Sequence, residues 1–491
     1  MSKDKYLEEE QLLKRIHTFD YIRMCFPDLN GLHLSTLVPT RHWKKIVSGQ
    51  CEMYSAMITY GPRMEYVNIP CVIKQNHVNS HLKPDFSTLH PCPWAGYQNH
   101  DLSSHSAECV SDKCVGAVIC NLSWPTDELM QAQPRVVAQR LLRELKDRYG
   151  LQLMSGFEPE FWAFKPDTMD ASCRNPAAPI EDDLPIAEPV PFTYGADAYK
   201  SSLLAVYESF FMKLDAMMEK AGVDIQEYLN EDGSGQLECP LMPEYGIASA
   251  DHYFIFKQAA KEIALQHGMG ISFMTSPYAE GSSSGCHFNH SLWTSDTGEN
   301  AFYNDRNPDH LSELARHWIG GLLAHLPAML AFCSPTVNCY RRLHKNLAPD
   351  AVNWSINDRF VSLRVKNTDE KRTYIESRLP SSASCPYHVL ASTIAAGMDG
   401  IERKLEPFEQ GQKPIQGRPS PTCPLLPNTL QEALQLLKND HVFVEKIGPE
   451  FVDWYCQVKE RGDLFSLGHI DIKEDAKLNL AYERHEYLQY I

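Results

Sequence analysis

None of the fifteen cysteines forms a C-x-x-C pair, which removes the commonest zinc and dithiol readings. Cys109, Cys114 and Cys120 lie near His105, but their spacings match no zinc template. The start, Met1-Ser2-Lys3-Asp4-Lys5, lacks the apolar core of a signal peptide. The cysteines therefore read as reduced thiols of a cytoplasmic protein. Long hydrophobic runs are missing too. The longest, 319–332, contains His325 and Pro327, is too short for a bilayer and reads as a buried helix. Positive charge is in deficit: 46 Lys and Arg against 63 Asp and Glu leave −17. That argues against nucleic acid or an anionic membrane as partner. Repeats and low-complexity tracts are also absent.

What is present is ordinary for a soluble protein: 43% hydrophobic and 22% charged residues in a chain of 491. That length allows more than one domain. Residues 6–17 have helical spacing of Leu7, Leu12, Leu13 and Ile16. Two β-like runs at 21–26 and 32–38 flank an Asn30-Gly31 turn, a hairpin signal. Residues 40–48 read as helix, and 50–125 as short strands and turns. From Pro134 the pattern becomes more helical, with helices expected at 134–148, 199–221, 249–267 (Ser249 as N-cap), 311–332, 386–405, 429–438 and 448–461. Segments 165–193 and 406–428 read as loops.

One stretch organises the rest. Gly156-Phe157-Glu158-Pro159-Glu160-Phe161-Trp162-Ala163-Phe164 has the pattern of a buried strand. Glu158 and Glu160 are two apart, so both point to one face. Like charges in an apolar setting are costly unless neutralised, and a divalent cation would do so. An exposed edge strand would show the same alternation. Further candidates follow in short motifs. Glu231-Asp232-Gly233-Ser234-Gly235-Gln236-Leu237-Glu238 places two carboxylates around a tight turn. Then come Gly285-Cys286-His287-Phe288-Asn289-His290-Ser291, Asn338-Cys339-Tyr340-Arg341-Arg342-Leu343, Asn357-Asp358-Arg359, Leu363-Arg364-Val365 and Tyr374-Ile375-Glu376-Ser377-Arg378. Singly, each has a structural explanation: a lone histidine is usually a hydrogen-bonded strand residue, a lone arginine a surface charge.

Together and in this order the motifs resemble the class I glutamine synthetase family over nearly the whole chain. The resemblance implies an α+β protein, with an N-terminal β-grasp domain at 1–130 and a catalytic α/β domain at 131–491. It implies a ring homo-oligomer, a dodecamer of two stacked hexamers, with active sites between neighbouring subunits. It implies ATP as co-substrate and two or three Mg²⁺ or Mn²⁺ ions. Glu160, Glu231 and Glu238 would hold one ion, and Glu158, His287 and Glu376 the second. Arg342 would bind glutamate, Arg359 the transferring phosphoryl group, Arg364 nucleotide phosphate and Arg378 the γ-carboxylate. Ser291 would lie near the nucleotide. The implied reaction is ATP-dependent ligation of glutamate to an amine through a γ-glutamyl phosphate.

The chain also departs from that pattern. Met53 falls where the family has an ammonium-binding Asp, with Glu52 one residue off. In Arg342-Leu343-His344-Lys345-Asn346-Leu347-Ala348-Pro349, Leu347 falls where the family has a flap Glu. An apolar pocket formed by Met53, Tyr54 and Leu347 would bind ammonium poorly and an amine with a hydrocarbon body better. The expectation is therefore a γ-glutamyl-amide ligase for aniline or an alkylamine. Ammonia, a polyamine and a non-catalytic lens-type relative are the alternatives. Asn289 stands where a second His is common, Tyr374 where an Arg often contacts nucleotide, and Ser282-Ser283 where the family has Asn-Gly.

Overall fold

A computed structural model describes residues 3–67, 69, 77–95, 97–98, 108–109, 113–165, 188–195, 198–343, 348–411, 423–467 and 476–491. It is an α+β architecture built on two large sheets. The first uses β1 (Tyr21–Pro27), β2 (His33–Pro39), β3 (Cys51–Tyr54), β4 (Asn79–Pro84) and β5 (His90–Pro91). After the small pair β6 (Tyr97–Gln98) and β7 (Glu108–Cys109), it is completed by β8 (Val115–Ser123). The order is β2-β1-β8-β4-β3, with β5 also on β8, so β3 is an edge. Helices α1 (Lys3–Ile16) and α2 (Trp43–Val47) precede and follow the β1–β2 hairpin in the chain. The 40–48 helix is shorter than expected because Thr40–His42 is a 3₁₀ turn.

The β1–β2 hairpin forms as its Asn-Gly turn predicts. Asp28 accepts hydrogen bonds from the Asn30 and Leu32 amides at 2.9 and 2.7 Å. Gly31 has φ +81°, and a Cβ there would lie 2.5 Å from the Cys385 Cβ. Only glycine suits both the backbone and the space. Burial pushes the Asp28 carboxyl up to about 7. This turn is tied to the far end of the chain: Lys459 Nζ donates to Asn30 Oδ1 at 2.7 Å and pairs with Asp463 at 3.2 Å. Tyr487 donates to the same Asp463 carboxylate.

The second sheet is centred on β9 (Leu151–Phe164), which extends the expected strand by five residues toward the N-terminus. Its partners are β10 (Leu229–Asn230), β11 (Gln236–Glu238), β12 (Glu244–Tyr245), β13 (Gly270–Ser272), β14 (Cys286–Thr294), β15 (Trp354–Ile356), β16 (Leu363–Asn367) and β17 (Thr373–Ser377). The order is β10-β11-β9-β14-β17-β16-β15, with β12 and β13 also against β9. Phe157, Phe161 and Phe164 are fully buried. Phe157 packs on Tyr253 and Phe288 at ring separations of 5.0 and 4.8 Å, a core contribution of roughly 2–3 kcal/mol per ring.

Helices α3 (Pro134–Tyr149), α4 (Ser201–Lys220), α5 (Ala248–Gln266), α6 (Glu313–Cys333) and α7 (Pro386–Arg403) follow the sequence expectation closely. Ser249 does not cap α5. Ile247 takes that place, and the Ser249 hydroxyl lies 2.7 Å from that of Ser155, a partner only tertiary packing supplies. Helices α8 (Leu430–Asn439) and α10 (Pro449–Arg461) were expected; α9 (His441–Ile447), α11 (Asp463–Leu467) and α12 (Ala476–Tyr487) were not. The short ones are legible only through contacts. Buried Arg135 joins the sheets by bonding Asp85 beside the first and Asp251 on α5. Cys25, Cys51, Cys120, Cys286 and Cys385 are buried thiols outside any disulfide. Among the described residues no helix is long and apolar enough to cross a membrane.

Candidate active site

The strand registers assemble one row of chemistry across the second sheet. Glu238 on β11 faces Glu160 on β9, and Glu158 on β9 faces His287 on β14. Asn289 on β14 faces Glu376 on β17, which faces Arg364 on β16. The period of two keeps all these side chains on one face. Glu231 joins them from the turn after β10, where its amide bonds the Gln236 carbonyl at 2.9 Å. The result is a cleft of about 380 Å³. All six expected acids and imidazole line it, as do Arg342, Arg359, Arg364 and Arg378.

Each half of the row is neutralised differently. Asn289 donates to Glu158 Oε1 at 2.6 Å, and His287 Nδ1 lies 3.3 Å from its other oxygen. Burial opposes ionisation of Glu158, but His287 outweighs it and holds the carboxyl below its ordinary value. Glu376 is bound by Arg378 on one oxygen and by Arg364 at 3.0 Å on the other. Burial is again outweighed, by His287, Arg378, Lys366 and Arg364, so its pKa is lowered. Across the cleft the sign reverses. Burial and the Glu231 charge raise Glu160, and burial with Glu160 raises Glu238 strongly. Gln236 Nε2, donating to Glu160 at 2.7 Å, offers a dipole but no charge.

Arg342 is buried on the carbonyls of Arg378 and Leu379 at 3.1 and 3.4 Å. Burial lowers its pKa, countered by Glu160. A Cβ on Gly285 would lie 2.8 Å from this guanidinium and 3.1 Å from Glu160 Oε1, so the position is glycine by close approach. Arg359 stands exposed at the rim. Ser291 lies two residues beyond Asn289 on β14, buried, and accepts from Trp293 Nε1 at 2.9 Å.

The acids can hold a divalent cation. Five carboxylates and one imidazole, with no thiolate, are the donors that Mg²⁺ and Mn²⁺ prefer. The raised Glu160 and Glu238 mark where a cation would relieve crowding. Among the described residues no three of these groups are already closed around one point. Glu376 is instead occupied by arginines.

Four expected site residues among those described are not part of the lining of this cleft: Met53, Tyr54, Asn289, which reaches it through its bond to Glu158, and Ser291. Met53 and Tyr54 lie on the edge strand β3, away from its lining. Met53 shares a face with buried Cys51, while Glu52 and Tyr54 take the other. Asn79 donates to Glu52 at 3.0 Å, and the Tyr54 hydroxyl is 2.7 Å from His77 Nδ1. Leu347 lies outside the described residues. Lys366, Gln236, Gly285 and Tyr199 line or shape the cleft without having been anticipated. Gln236 and Lys366 were findable, each being two residues from a recognised member of the same strand face.

The family model for the glutamine synthetase catalytic domain matches residues 131–467. The chain belongs to the glutamine synthetase family. It is an ATP-dependent ligase that forms carbon–nitrogen bonds, in a family that uses divalent cations. Glutamine synthetase of Thermus thermophilus is 30% identical over 451 residues, covering 90% of this chain and 91% of that protein. Lengsin of Rattus norvegicus is 26% identical over 479 residues, covering 94% and 75%. Among solved structures, the GmaS/ADP complex superposes with TM-score 0.73 at 23% identity, covering 92% and 94%. A further glutamine synthase homologue gives 0.76 at 22%, covering 95% and 98%.

Proposed function

We propose that the protein ligates the γ-carboxylate of glutamate to an organic amine, releasing ADP and phosphate. The carrying observation is the meeting of six anionic or imidazole donors with four arginines in one cleft. Glu160, Glu231 and Glu238 would hold one divalent cation, and Glu158, His287 and Glu376 another. Bound there, the ions would neutralise phosphate charge. Arg342, already fixed by two carbonyls, would receive the glutamate carboxylate. Arg364, with Asn289 and Ser291 further along the sheet face, would serve the nucleotide. Arg378 would orient the γ-carboxylate, whose oxygen attacks the γ-phosphorus of ATP as ADP leaves. Arg359 would stabilise charge on the transferring group. The amine nitrogen then attacks the acyl carbon, phosphate departs, and the amine gives up a proton.

The reading includes a β-grasp unit at 1–130, a catalytic unit at 131–491, a ring homo-oligomer of two hexamers and a cytoplasmic setting. In such a ring, β3 of one subunit would approach the cleft of the next, and Met53, Tyr54 and Leu347 would favour aniline or an alkylamine. One observation favours a second reading: Glu52, not Met53, shares the outward face with Tyr54 and is half exposed. An acid there would suit ammonium or a cationic amine. The test is phosphate release with ATP, Mg²⁺ and glutamate, adding ammonium, putrescine, ethylamine, isopropylamine or aniline. Release with aniline or an alkylamine is expected. Turnover with ammonium alone would replace the apolar-amine reading by the second.

A further inference from the structure

Lys366 stands two residues beyond Arg364 on β16, so both side chains leave the same strand face, and both line the cleft. Across the antiparallel ladder Arg364 faces Glu376, and Lys366 faces Tyr374. The Lys366 ammonium lies 5.3 Å from the centre of the Tyr374 ring. It is also 3.6 Å from Glu376 Oε2, the oxygen already bonded by Arg364 at 3.0 Å. The other Glu376 oxygen is held by Arg378.

Three cations thus surround one carboxylate. At 3.6 Å the lysine is beyond hydrogen-bond length, and each oxygen of its partner already has an arginine. Its ion pair with Glu376 is the loosest of the three and leaves its donors without a hydrogen bond to that carboxylate. The Arg364 Nε, buried beside it, has no acceptor among the described residues. Two neighbouring strand positions therefore present donors in excess of the protein's own acceptors. Positive charge gathered on the Glu376 side of the cleft suits an anionic group such as a phosphate. Tyr374, where an arginine was expected, carries no positive charge. Its ring face attracts a cation instead, and so steadies the lysine.

We propose that Lys366 is a nucleotide-phosphate ligand, supplying from β16 the cation that Tyr374 on β17 lacks. A charge is thereby transposed across one cross-strand pair. The inference rests on the cleft being the nucleotide site. A lysine suits the place because its three donors sit on a flexible stem and can swing from Glu376 to a phosphate oxygen.

The experiment is calorimetric titration of Mg-ADP into the wild type, Lys366→Met, Lys366→Arg and the double variant Lys366→Met/Tyr374→Arg. Steady-state KM values for ATP and glutamate accompany it. Lys366→Met should weaken ADP about tenfold or more and raise the ATP KM by a similar factor. The glutamate KM should stay within about twofold, because the loss is confined to the phosphate side. Lys366→Arg keeps the charge and should retain most of the affinity. The double variant restores a cation from the neighbouring strand and should regain most of it. A Lys366→Met protein that binds ADP like the wild type overturns the proposal. So does a glutamate KM that rises as much as the ATP KM, which would mark a general support of the cleft. ADP binding needs no amine. A wild type that binds ADP through Lys366 yet ligates no organic amine would defeat the proposed function and leave this inference standing.

Discussion

Glu376 and Glu238 face the same cleft, yet one sits among cations and the other among acids. Around Glu376 the protein supplies Arg364, Arg378 and Lys366, and the carboxylate is comfortably ionised. Around Glu238 it supplies Glu160 and Glu231, and ionisation is opposed. In the first half the polypeptide itself counters the charge before any ion binds. The second is left incomplete, and a divalent ion would complete it. Identical side chains thus do opposite things to the fold, and the same substitution should change stability in opposite directions.

The largest effect is expected at Glu376→Gln. It removes the carboxylate between buried Arg378 and half-buried Arg364, and should cost about 3 kcal/mol in urea unfolding, besides lowering turnover about 100-fold or more. A variant as stable as the wild type would erase the contrast. Mg²⁺ at a hundredfold its Kd should stabilise the wild type by about 2.7 kcal/mol over the EDTA-treated protein. Melting curves with and without the ion measure this, and a zero shift would mean that the acidic half binds no ion. Glu238→Gln should remove repulsion and stabilise the metal-free protein by about 1–2 kcal/mol while abolishing turnover. Loss of stability instead would show that the acids are already compensated.

The smallest effect is the pH dependence. Glu238 and Glu160 have folded pKa values above the unfolded 4.5, so the folded state holds extra protons. Stability from this half is complete below 4.5 and falls as pH rises through the raised values. Glu158 and Glu376 are lowered, so their contribution is complete above 4.5 and is lost as pH falls through the lowered values. In EDTA the stability should fall as pH rises from 4.5 toward the raised values, and Mg²⁺ should flatten the slope. Melting temperatures at several pH values, with and without the ion, decide it. A rise with pH would reverse the assignment.

Much of this cleft was legible because strand chemistry has a period of two. Glu158 and Glu160, then His287 and Asn289, could be placed on faces from spacing alone, and the registers bring them together. The hairpin at Asp28–Leu32 was legible because its turn residues have few alternatives. Tertiary facts were not. Cross-strand partners such as Lys366 and Tyr374 are set by register, which no local pattern records. Whether Met53 or Glu52 faces outward depends on where β3 begins. The Ser249 cap failed because a neighbouring serine competed for its hydroxyl. The helices near 441, 463 and 476 were missed because they are short or lack strong periodicity.

The bond from Lys459 to Asn30 joins residues 429 positions apart. A ribosome adding residues at ordinary speed needs about 20 to 90 s to span that interval. Throughout it, the first hairpin is exposed with its buried-to-be Asp28 facing water and its permanent partner unwritten. The nascent amino-terminal sheet must therefore persist on its own contacts or in the keeping of a chaperone. Its seam with Lys459 closes only after that residue has left the ribosome.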